Sequence, residues 1–135
     1  MLSRSHIFFL LIPVLFSFTS MLCSSDELEY KFLLRVHIIN ALPQNSKPAN
    51  IECKSTDTYI GERNLNVGDD FTWNAKESSL YYCRAFWGRF FASWHAVQPK
   101  RDDGKAAVFW LVNEHGFFLS WDNSTWVKKS VWETE

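Results

Sequence analysis

Cys53 and Cys83 are the residues in this 135-residue chain whose type and setting most directly suggest chemistry. Cys53 ends the alternating run Ala49-Asn50-Ile51-Glu52, and Cys83 follows Leu80-Tyr81-Tyr82. Alternation puts both thiols on the inward faces of strands. They lack the C-x-x-C spacing of redox catalysts, so a structural disulfide is the chemistry expected of them. Joining them closes a loop of about 30 residues, worth roughly 3–4 kcal/mol in loop-closure entropy. A third cysteine, Cys23, sits in a segment expected to be removed.

Other chemistry-bearing residues are scattered. His37, His95 and His115 fall in different strands or turns, with no spacing that would bring three ligands to a zinc ion. Asp69-Asp70 and Asp102-Asp103 read as solvated loop charges. There is no nucleophile elbow, Cys-His arrangement or glycine-rich phosphate loop. The chain is therefore read as a non-enzyme without cofactor or metal. Asn123-Ser124-Thr125 is its one N-glycosylation sequon, placed in a turn where a glycan would not interrupt a ladder.

The elements that must position the cysteines follow an export signal. Arg4 and His6 form a polar start, Ile7 to Phe18 is apolar apart from Ser17, and small residues follow from Thr19 to Ser25. The apolar run, about 12 residues, falls short of the roughly 18 needed to span a bilayer. We read residues 1–24 as a signal peptide and 25–135 as one domain, rather than as an uncleaved anchor. The domain is then expected in an oxidising compartment, with no membrane insertion after cleavage and as a monomer. Of the 14 basic residues Arg4 is lost with the signal, which leaves 13 against 15 acidic and a net charge of −2. That balance argues against nucleic acid as a partner. Aromatic residues make up 17% of the chain, enough to let a small domain bury much apolar area per residue.

No helical period is evident, and apolar residues alternate instead. Phe32, Leu34, Val36 and Ile38 share one face of a strand, opposite Arg35 and His37. Pro43 to Pro48 forms a turn, Ile51 and Cys53 line the next strand, and Thr56 to Gly68 reads as a long turn region. Extended runs follow at Asp70 to Ala75, Leu80 to Trp87, Phe90 to Val97, Ala106 to Asn113, Phe117 to Trp121 and Thr125 to Trp132. About eight short strands predict an all-β fold, a small antiparallel β-sandwich in preference to a barrel.

The residues in order resemble a known family. They are Val36-x-Ile38-x-Asn40-x-Leu42, Cys53-Lys54-Ser55-x-Asp57, Ile60-Gly61, Leu65, Gly68, Phe71-x-Trp73, Tyr82-Cys83, Trp87, Trp110, Gly116-Phe117, Trp126 and Trp132. Spanning Val36 to Trp132, the set is similar to the plant self-incompatibility S1 proteins and their S-protein homologues. The resemblance implies a small, secreted, disulfide-bonded β-sandwich. It also implies an extracellular ligand in cell–cell signalling, like the stigma proteins recognised by a pollen membrane receptor. A second cysteine pair common in the family maps to Lys105 and Val108 and is missing here, so Cys53 and Cys83 would be the retained pair. Ala75 and Ala85 stand where the family carries larger residues, which suggests a core repacked around Phe86, Phe90, Phe91 and Trp94.

Recognition is expected on loops held by a rigid sheet. The candidates are Asp57, Thr58 and Tyr59, and the charged segment Pro99 to Lys105 with Lys100, Arg101, Asp102 and Asp103. The expected partner is a cell-surface receptor protein. The alternatives are an apoplastic carbohydrate-binding protein, using exposed aromatic rings, and a defence protein.

Overall fold

Side chains alternate between the two faces of an extended chain, and in this protein that alternation writes out nearly every strand. The computed structural model describes residues 33–76 and 78–135; the expected signal peptide lies outside them. Nine strands run in order: β1 Leu33–Asn40, β2 Ala49–Lys54, β3 Tyr59–Leu65, β4 Asp70–Lys76, β5 Tyr81–Trp87, β6 Phe90–Val97, β7 Ala107–Asn113, β8 Gly116–Ser120 and β9 Val127–Ser130. Among the described residues no helix is long and apolar enough to cross a membrane.

The strands form a five-stranded sheet, ordered β4-β1-β7-β8-β9, and a four-stranded sheet, ordered β3-β2-β5-β6. Their inner faces share one core, with Val36, Ile38, Trp73, Val108, Trp110 and Phe117 from the first sheet meeting Ile51, Cys53, Cys83, Trp94 and Ala96 from the second. Trp94 bridges the two, its ring 4.4 Å from Phe117 and 5.9 Å from Trp110 between centroids. The Trp110 indole N–H also crosses the gap and donates to the Ala96 carbonyl at 2.9 Å. Each large apolar side chain buried there contributes about 1.5–3 kcal/mol of burial free energy, which makes these cross-sheet contacts the main reason the two layers stay together.

Two expectations need correction. The segment Thr56 to Gly68 is not one long turn, because it contains β3. That strand escapes its own sequence because only Gly61 and Leu65 of its seven residues are buried. It is an edge strand whose charged residues Glu62 and Arg63 face water, and pairing with β2 supplies the order that its composition does not. Among the described residues the strands number nine, close to the eight or so expected. The sandwich is also not wholly antiparallel, since β1 pairs in parallel with β7, Val36 opposite Val108 and Ile38 opposite Trp110. The chain leaves for the second sheet after β4 and returns as β7 on the free side of β1, which places β1 between β4 and β7.

The core departs from expectation in one further way. Ala75 and Ala85 are fully buried, but of the four aromatics proposed to compensate only Trp94 turns inward. Phe90 and Phe91 are half-buried, and Phe86 projects outward, 47% exposed.

Asn40, the polar residue of the first motif, is 1% exposed. Its side chain donates to the Leu65 carbonyl at 2.8 Å and accepts from the Leu42 amide at 2.9 Å. It thus ties the end of β1 to the end of β3 while leaving none of its own polar atoms idle in the core. Gly116, at φ 135°, opens β8 where the Ser130 carbonyl of β9 presses so close that an added Cβ would collide with backbone. On the outer edge of the four-stranded sheet, Phe91 and Glu133 exchange two backbone hydrogen bonds of 3.0 and 2.8 Å. Beside them Trp132 packs on Phe117 and Trp87 and donates to the Asn113 carbonyl at 2.8 Å, which closes that side of the sandwich.

Candidate recognition surface

The disulfide lies beneath the candidate surface. Cys53 on β2 and Cys83 on β5 are direct cross-strand partners, bonded through sulfur with Cα atoms 4.1 Å apart. Both are fully buried, so the pair staples neighbouring strands of one sheet from its inner face and offers no thiol to solvent.

Immediately after Cys53 the β2–β3 ladder shifts register, and the chain turns through Ser55 to Thr58. Ser55 and Thr58 hold this turn twice, through the Ser55 amide to the Thr58 carbonyl at 2.8 Å and the Thr58 amide to Ser55 Oγ at 3.0 Å. Asp57 and Thr58 are exposed at its tip. Tyr59 is not a loop residue but the first residue of β3, 60% exposed. Its hydroxyl donates to the Glu52 carboxylate at 2.9 Å, and that bond, with burial second, raises the phenol above its ordinary pKa.

The second candidate segment divides. Lys100 and Asp103 are exposed, as expected of a charged loop. Asp102 is not: it is 1% exposed and its carboxylate is fully engaged. Oδ2 accepts from the Gln98 amide at 2.8 Å and from Arg101 at 2.8 Å, and Oδ1 accepts from the Arg101 Nε–H at 2.9 Å and the Trp121 indole at 2.9 Å. Arg101 also donates to the carbonyls of His95 and Ala96 and lies over the Trp110 ring. The reading of Asp102-Asp103 as a solvated pair is thus corrected. Asp102 and Arg101 hold the segment onto the sandwich, because a buried carboxylate persists only when its charge and lone pairs are met. Sequence reasoning missed this because the partners come from β6 and from the end of β8. A signal was nonetheless present, in that Arg101 precedes Asp102 and a tryptophan follows β8.

Asp70 is likewise engaged, its carboxylate 2.9 Å from His37 Nδ1 and 3.0 Å from the Thr72 hydroxyl that donates to it. His37 stacks on Phe109 at 4.6 Å. His95 bonds Gln98, and His115 stands beside Glu114 at 3.3 Å. Among the described residues no three His, Cys, Asp or Glu side chains gather as a metal site would require.

Asn123 is exposed at the tip of the β8–β9 turn, in the left-handed region at φ 60°. The turn is organised by Asp122, whose carboxylate accepts from the Thr125 and Ser124 amides and the Ser120 hydroxyl. Those bonds hold its pKa well below the usual carboxylate range. The sign follows: the contribution is complete above the ordinary carboxylate pKa near 4 and is lost as the pH falls below it.

What stands assembled is a small all-β sandwich with one internal disulfide and turns held by local hydrogen bonds. The sequence model of the plant self-incompatibility protein S1 family matches residues 35–132, and the chain belongs to that family. A solved structure of SPH (self-incompatibility protein homologue) proteins superposes with a TM-score of 0.63 at 18% identity, covering 76% of this chain and 96% of that one. Those proteins are described as a widespread family of small, highly stable, secreted proteins from plants. No curated protein sequence matches the chain.

Proposed function

We propose that the chain is exported through a signal peptide over residues 1–24. Outside the cell it acts as a protein ligand for a cell-surface receptor, by surface complementarity and without turnover. The observation that carries this reading is membership of the self-incompatibility S1 family across the whole sandwich. A buried disulfide supports the extracellular setting, since such bonds persist in oxidising compartments. Contact with the receptor is made by the exposed tips, Asp57 and Thr58 on one turn and Lys100 and Asp103 on the other. Asn123 carries an N-linked glycan on the β8–β9 turn.

Cross-linking the tagged mature protein to intact plant cells, followed by mass spectrometry, tests the receptor reading. Saturable labelling of one membrane protein, weakened by Asp57→Lys or by Lys100→Glu with Asp103→Lys while secretion continues, is the expected result. Labelling that fails to saturate overturns it. The glycan is tested by enzymatic deglycosylation of secreted protein. The mass shift should vanish in Thr125→Ala, which removes the sequon and leaves the left-handed Asn123 in place. A secreted wild-type protein without the shift overturns the modification.

A further inference from the structure

Among the described residues the most exposed aromatic side chains share one face. They are Tyr59, Phe86 and Tyr82, at 60%, 47% and 41%. All three point outward from the four-stranded sheet, where Lys54 pairs with both Tyr59 and Tyr82, and Asn50 with Phe86. On the five-stranded sheet, by contrast, the outward Phe109 is half-buried against His37.

The polar groups between these rings are already organised. Glu52 is held by Arg84 at 2.7 Å and by the Tyr59 hydroxyl at 2.9 Å. Asn50 donates to Glu62 at 2.8 Å and to Asn64 at 2.9 Å. Lys54 differs, because among the described residues it has no carboxylate within ion-pair distance, and its ammonium stands 5.9 Å from the Tyr82 ring centroid. A shallow depression of about 220 Å³ is lined by Glu52, Lys54, Tyr82, Arg84 and Ser93. With Glu52 offset by Arg84, one positive charge remains in it, next to an exposed ring.

We infer that this depression binds an acidic sugar, a hexuronate unit of a polysaccharide. The apolar C–H face of the pyranose lies on Tyr82, the carboxylate meets Lys54 in a charge-assisted contact, and ring hydroxyls bond Ser93 and the Glu52–Arg84 pair. A neutral sugar would leave Lys54 unanswered. A protein covering the whole sheet would take the Glu52–Arg84 pair out of water, whereas a sugar one ring wide leaves it largely hydrated. The site lies on the sheet face, with Lys54 directly before the turn whose tip is assigned to the receptor and the other lining residues farther from it. It would retain the protein on an acidic matrix independently of receptor contact.

The experiment is calorimetric titration of the secreted protein with oligogalacturonate and with the same oligomer reduced at its carboxyl groups. The acidic oligomer should bind and weaken with added salt. The reduced oligomer, and the variants Lys54→Gln and Tyr82→Ala with the acidic one, should each bind about tenfold or more weakly. Lys54→Arg should restore binding, and Lys128→Gln, on β9 of the other sheet, should leave it unchanged. Both contact side chains are exposed, so thermal melting of the variants should match that of the wild type. The inference is overturned by no binding of the acidic oligomer, by equal binding of the reduced one, or by equal losses in Lys54→Gln and Lys128→Gln. Cell cross-linking is a separate measurement, so failure here leaves the receptor reading standing.

Discussion

The turn after Cys53 and the segment after Pro99 read alike in sequence, as short polar connections that carry charge. In three dimensions they differ in what secures them. The Ser55–Thr58 turn is held by its own atoms and by the strands it joins, one of which, β2, is stapled to β5 by the disulfide below. The Pro99–Lys105 segment is held from inside by one buried carboxylate that gathers a backbone amide, a guanidinium and an indole. The first is local order on a covalent base, and the second is a polar anchor that adds the distant Trp121 indole to partners close in sequence. A charged residue on a loop is therefore not evidence of a solvated one.

Removing the anchor should have the largest effect. Asp102→Ala takes the buried carboxylate partner from the Arg101 charge and the Trp121 N–H, and it should cost about 3–5 kcal/mol. The check is chemical denaturation monitored by tryptophan fluorescence, and a loss comparable to an ordinary surface substitution would erase the distinction between the two turns. Replacing both cysteines by alanine should cost about 3–4 kcal/mol, since the closed loop is about 30 residues. In a domain of this size that lowers the melting temperature by on the order of 15–25 °C. Reduction of the wild-type protein should lower it by a similar amount.

Ser55→Ala should be milder, about 1 kcal/mol, because it removes one hydrogen bond at a solvated turn. Hydrogen exchange should quicken around Thr58 and remain unchanged around Gln98, which would show that the first turn is secured locally. The smallest effect belongs to Lys100→Ala with Asp103→Ala, expected to stay within about 0.5 kcal/mol because both side chains face water. A larger loss would mean that the whole segment, and not Asp102 and Arg101 alone, is structural. The Asp122 turn adds a pH arm to the comparison. Asp122→Asn should lower stability at neutral pH, and the gap to wild type should close as the pH falls below about 4.

Much of this architecture was legible because burial in a sandwich has period two. Val36 and Ile38, Ile51 and Cys53, Tyr81, Cys83 and Ala85, and Val108, Trp110 and Val112 alternate so regularly that their inward faces follow from order alone. Phe90–Val97 was placed with its bounds correct, since Gly88 marks the turn before it. Legibility failed where a strand owes its order to a neighbour. Tyr59–Leu65 buries too little to show a period, so only pairing with β2 makes it extended. It failed again at Phe86, where a large apolar residue suggested core and the pleat placed it in water. The candidate surface was half legible: Asp57, Thr58, Lys100 and Asp103 are exposed, while Asp102 is not.

The order of residue types was sufficient to determine an all-β domain, the faces that turn inward, and a place for each of the two cysteines on such a face. Those properties depend on spacing along one strand, and spacing is written in the chain. Which strands become neighbours was decided only by the tertiary structure. That choice set the parallel β1–β7 pair, the burial of Asp102, and the gathering of Tyr59, Tyr82 and Phe86 on one face. Each depends on groups far apart in sequence whose meeting is favourable only once both sheets have closed over a common core.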